Sequence, residues 1–98
     1  MKTILIVDDS RLFRNFVSQI LEKNFKVVGK GTSGIEGYEL YQKLRPDLVL
    51  MDITMPDCNG KESLKLILDH DPLAKVIMFS GLGDEFTINE CIKLGVKA

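Results

Sequence analysis

The chain has 98 residues, 45% of them hydrophobic and 28% charged, enough apolar material for one small domain with a single core and too little chain for a second. With 13 basic and 14 acidic residues the formal net charge is -1, so the basic excess by which a domain binds nucleic acid or an anionic membrane on its own is missing. No apolar stretch reaches membrane-spanning length, and the run at residues 4–7 is too short for a signal peptide, so a cytoplasmic domain is expected.

Residues 3–7 are β-branched and aliphatic without polar alternation, as expected of a strand buried on both faces of a parallel sheet. Asp9 or Ser10 can cap a helix over about residues 11–23, where Leu12, Phe13, Phe16, Val17, Ile20 and Leu21 fall on one face. A second strand is expected at residues 25–29. Gly31, Thr32, Ser33 and Gly34 then turn into a second helix, roughly residues 35–44, with Ile35, Tyr38, Tyr41 and Leu44 spaced three apart. Arg45 precedes Pro46 and is pushed out of the helical region, which ends that helix.

Residues 48–51 form the third strand, and Pro56 with the pair Asn59 and Gly60 mark the loop after it. A third helix is expected at about residues 61–69, ending near Asp71 and Pro72, and a fourth strand at residues 76–79. Residues 84–94 read as a fourth helix, with Ile88, Cys91 and Ile92 facing inward and Gly95 as its left-handed stop. Cys58 and Cys91 stand apart, without metal-ligand spacing, and read as reduced thiols.

Strands alternating with helices of this length imply right-handed crossovers and an α/β fold, a three-layer doubly wound parallel sheet forming one domain over residues 1–98. In such sheets function collects at the carboxyl ends of the strands, which here carry Asp8, Asp9, Asp52 and Ser80. If the first and third strands are neighbours, three carboxylates emerge a few ångströms apart. Like charges that close need a proton or a cation between them. A divalent metal site beside a carboxylate able to accept a phosphoryl group is the simplest use of that arrangement. Mg²⁺ suits it, because Mg²⁺ takes oxygen ligands and keeps several waters. Phosphoryl transfer asks a protein mainly for in-line positioning and cations.

The series Ile6-Val7-Asp8-Asp9-Ser10, Pro46-Asp47-Leu48-Val49-Leu50-Met51-Asp52-Ile53-Thr54-Met55-Pro56, Asn59-Gly60, Ser80 and Leu94-Gly95-Val96-Lys97-Ala98 resembles, in order and spacing, the receiver domain of bacterial two-component response regulators. The resemblance spans the whole chain. It implies the flavodoxin-like receiver fold with strand order 2-1-3-4, and a signalling switch rather than an enzyme acting on a separate substrate. Asp52 then resembles the phospho-acceptor, taking the group from a histidine kinase or a histidine phosphotransfer protein. Asp9 and Asp52 resemble direct Mg²⁺ ligands joined by the backbone carbonyl of Thr54, with Asp8 acting through water. Ser80 resembles the hydroxyl that hydrogen-bonds the phosphoryl group. Thr54 and Leu82 occupy the positions that tune dephosphorylation, and neither carries a carboxylate or an amide to orient an attacking water, so a long-lived phosphoryl group is expected.

Receivers of this family continue into a fifth strand, with a lysine at its end, and a fifth helix. This chain stops at Ala98. Neither Lys93 nor Lys97 stands where that lysine would. A C-terminally incomplete receiver, impaired in switching, is therefore expected, with an exposed fourth-strand edge open to homo-oligomer contacts. Two rival classes use related parts. A haloacid dehalogenase-like phosphatase would use Asp52 as nucleophile but needs a second aspartate where Thr54 stands, and a flavin-binding module needs a phosphate cradle where Asp8 and Asp9 would repel the ligand.

Overall fold

The chain alternates apolar runs with amphipathic ones, and each becomes a strand or a helix in turn: β1 (Thr3–Val7), α1 (Arg11–Leu21), β2 (Lys26–Gly31), α2 (Gly34–Leu44), β3 (Leu48–Asp52), α3 (Gly60–His70) and β4 (Val76–Phe79). The structure, a computed structural model, describes residues 1–52 and 60–79. The helix expected at residues 84–94, and with it Cys58, Cys91, Lys93, Gly95 and Lys97, lies outside the described residues.

Among the described residues all strand pairs are parallel, and the order across the sheet is β2-β1-β3-β4. Because side chains alternate along a strand, β1 and β3 feed two cores at once. Ile4, Ile6, Leu48 and Leu50 face α1, where they meet Phe13, Val17 and Leu21. Leu5, Val7, Val49 and Met51 face the other way, toward Tyr41 of α2 and Ile67 of α3. The result is three layers, with the two central strands buried on both sides.

Helix α2 sits unusually close to the sheet. A Cβ on Gly37 would lie 2.9 and 3.0 Å from the two methyls of Val7, so only glycine fits at that crossing without displacement. Ser63 of α3, fully buried, ties the second helical pair by donating its hydroxyl to the Gly34 carbonyl at 2.8 Å. At the opposite edge of the sheet Asp47 accepts hydrogen bonds from the Thr3 amide (2.7 Å) and hydroxyl (3.0 Å), which locks the starts of β1 and β3 in register.

The structure corrects several expectations. The first helix ends at Leu21, and β2 runs one residue later at its start and two at its end than the sequence suggests. The apolar positions of α1 do not all face inward, since Leu12 is 79% and Phe16 54% exposed. At about 100° per residue, the six apolar positions cover an arc of roughly 180°, wider than one sheet surface can bury. The buried arc runs from Phe13 through Val17 and Leu21 to Ser18, while the far edge stays in solvent. Ile35 is likewise 47% exposed, because Gly34, Gly37 and Tyr41 form the buried side of α2. Arg45 does leave the helical region before Pro46, but into the left-handed region at φ 45°, ψ 59° rather than into an extended one.

Candidate functional site

Parallel pairing sets Val7 level with Met51, so the next residues, Asp8 just past β1 and Asp52 at the end of β3 where it still pairs with Phe79, stand at the same end of the sheet. Asp8 continues the pairing with β2 by donating its amide to the Gly31 carbonyl at 3.0 Å. Its carboxylate turns back to accept the Ser10 amide at 2.7 Å. Ser10 in turn caps α1, accepting the Phe13 amide at 3.2 Å. The sequence Asp8-Asp9-Ser10 thus makes a tight strand-to-helix turn with Asp9 projecting at its apex. Of the two expected caps, Ser10 is the one used.

Three carboxylates meet there. Asp8, Asp9 and Asp52 each offer an oxygen, and these oxygens lie within 4.8 Å of one another. Asp8 and Asp52 are buried and Asp9 is exposed, so the cluster opens to solvent on one side. Burial pushes the Asp8 carboxyl up to about 6, the Ser10 amide opposes that shift, and the charges of Asp52 and Asp9 add to it. Carboxylates this close repel one another, and a hard cation with oxygen ligands would relieve that repulsion. The donor set, three carboxylates open on one side, fits a hydrated divalent ion. Among the described residues, no other group of three or more His, Cys, Asp or Glu side chains converges in this way.

Two positions that sequence reasoning passed over also shape the site. Arg14 donates Nη1 to the Asp8 carbonyl at 2.6 Å. Gly31 supplies the carbonyl that receives the Asp8 amide. Nothing in the residue type marks Arg14; its place on α1 between Leu21 and Ser18 gains meaning only once the buried arc is known. Thr54, Ser80 and Leu82 lie outside the described residues.

The chain matches the response regulator receiver domain over residues 4–98. It belongs to that family. The chemotaxis protein CheY of Thermotoga maritima is 43% identical over 97 residues, covering 98% of this chain and 81% of that protein. Among solved structures, the response regulator domain of Thermotoga maritima CheB is 38% identical, with a TM-score of 0.79 over 96% of this chain and 71% of that one. A CheY from Borrelia burgdorferi, solved as a CheX-CheY-BeF3-Mg complex, is 34% identical with a TM-score of 0.78, covering 94% of this chain and 71% of that one. Membership of the receiver family displaces both the phosphatase and the flavin-binding alternatives. The receiver family carries a signalling role and uses Mg²⁺ at an acidic pocket, and this chain has a cluster of aspartates that could bind a metal.

Proposed function

We propose that this receiver accepts a phosphoryl group on Asp52 from the phosphohistidine of a histidine kinase or a histidine phosphotransfer protein, and that the reaction depends on Mg²⁺. The observation that carries the reading is the convergence of Asp8, Asp9 and Asp52 within 4.8 Å at the carboxyl ends of β1 and β3. In the transfer, a carboxylate oxygen of Asp52 forms a bond to phosphorus as the phosphorus–nitrogen bond to the donor imidazole breaks, and the imidazole nitrogen takes up a proton. Asp9 and Asp52 would hold the metal directly with the carbonyl of Thr54, and Asp8 would hold it through water. When bound, Mg²⁺ supplies positive charge against the phosphoryl oxygens.

Ser80 is assigned the hydrogen bond to the transferred group, and Thr54 with Leu82 the slow loss of phosphate. The chain catalyses only its own phosphorylation and dephosphorylation on this reading. Self-association along β4 belongs to the same proposal, because Val76, Ile77 and Met78 are only partly buried and β4 is one of the two edge strands among those described. A strictly monomeric chain by light scattering would remove that part.

Incubation with Mg²⁺ and acetyl phosphate, followed by intact-protein mass spectrometry, tests the central claim. One added phosphoryl group is expected, absent without Mg²⁺ and absent in Asp52→Asn. Phosphorylation of Asp52→Asn to the wild-type extent would overturn it.

A further inference from the structure

The Asp8 carbonyl gripped by Arg14 belongs to the peptide group that joins Asp8 to Asp9. That group is planar, so whatever fixes its oxygen fixes the plane from which both acidic residues depart. Asp8 is already held by its amide, bonded to Gly31, and by its carboxylate, bonded to the Ser10 amide. Its carbonyl is held by a guanidinium at 2.6 Å, a short charge-assisted contact of the stronger kind. Arg14 itself has little freedom to drift. Its amide bonds the Ser10 carbonyl at 2.9 Å, and the helix that carries it is anchored by the buried Phe13, Val17 and Leu21. At Asp8 the cation meets the carbonyl and not the carboxylate, so it orients the backbone at the turn through a main-chain oxygen.

We propose that Arg14 is a positioning residue for the metal site: by holding the Asp8 carbonyl it orients the Asp8–Asp9 peptide so that both carboxylates converge with Asp52 on one cation. The inference rests on the reading of those three acids as Mg²⁺ ligands. It also makes a prediction opposite in sign to simple electrostatics. Removing a positive charge beside an acidic cluster should tighten cation binding by Coulomb attraction alone. Removing a group that orients the ligands should weaken it, by about 10-fold or more where such supporting contacts have been cut.

Calorimetric titration of the full chain with Mg²⁺ distinguishes the two, with metal-free melting followed alongside. Arg14→Ala is expected to bind Mg²⁺ about 10-fold more weakly than wild type at a temperature where both are folded. Arg11→Ala removes the same charge from an exposed position on the same turn and is expected to bind at least as tightly as wild type. Arg14→Lys restores the charge without the planar fork and is expected to fall between wild type and alanine; it carries the test if the alanine variant does not fold. Unchanged or tighter binding in Arg14→Ala, or in Arg14→Lys if that variant stands in, overturns the inference while leaving the magnesium reading intact. A wild-type chain that takes up no Mg²⁺ overturns both.

Discussion

Asp8 carries the conflict at the centre of this molecule, a carboxylate 3% exposed with two further acids within bridging distance. Its carboxyl is raised to about 6 from the ordinary 3.8, so between those values the folded chain holds a proton that the unfolded chain releases. Stability therefore falls as pH rises through that interval and is not recovered above it without a cation. The effect is on the order of 1–2 kcal/mol, less than full conversion of the shift because water reaches part of the site. Asp8→Asn keeps an oxygen for the Ser10 amide and removes the charge. Its metal-free form is expected to be more stable than wild type at neutral pH by about 1 kcal/mol, with a flatter profile between pH 4 and 6. Urea melts across that range check it, and a variant less stable than wild type at pH 7 would contradict it.

Arg45 sets a second expectation at this scale. A side chain in the left-handed region carries a steric cost that glycine does not. Its amide still closes α2 on the Tyr41 carbonyl at 2.9 Å, a bond that glycine makes equally well. Arg45→Gly is expected to stabilise the chain by about 0.5–1 kcal/mol, read as a higher denaturant midpoint at unchanged slope.

Among the elements, Gly37 brings α2 onto β1 one residue before Asp8. Alanine would favour the helix by about 1 kcal/mol in isolation, yet its methyl would press on the stiff, fully buried Val7. Overpacking at such a contact costs about 1–3 kcal/mol, so Gly37→Ala is expected to destabilise on balance and to weaken Mg²⁺ binding through the displaced end of β1. Equal melting and equal metal affinity would refute this. The strands were legible in the sequence because β1 and β3 are buried on both faces and leave no ambiguity of side. The helices were not fully legible. An apolar arc as wide as that of α1 has two possible rotations, and only the packed sheet decides that Val17, Ser18 and Arg14 turn inward while Leu12 and Phe16 stay out. The acids of the site could be read from strand ends and from the family pattern. Arg14 could not, since its partner is a backbone carbonyl, which leaves no mark in the residue type.

For the molecule as a whole, near-neutral net charge hides a strong local imbalance. The Thr3–Asp47 clamp holds the amino ends of β1 and β3 together, and the cost of that alignment appears at the other end, where three acids are brought into one cluster. A cation that binds the folded chain and not the unfolded one stabilises the fold by mass action, by about 2.7 kcal/mol at 100 times its dissociation constant. Protons compete for the same oxygens, because Asp8 titrates near 6 in the folded state. The rise in melting temperature on adding millimolar Mg²⁺ is therefore expected to be large at pH 7.5, to shrink markedly at pH 5, and to fall away in Asp52→Asn at both. Differential scanning fluorimetry with matched ionic strength measures it directly. A shift of the same size at both pH values would mean that the ion binds elsewhere, and that β1 and β3 hold their acids together for some other purpose.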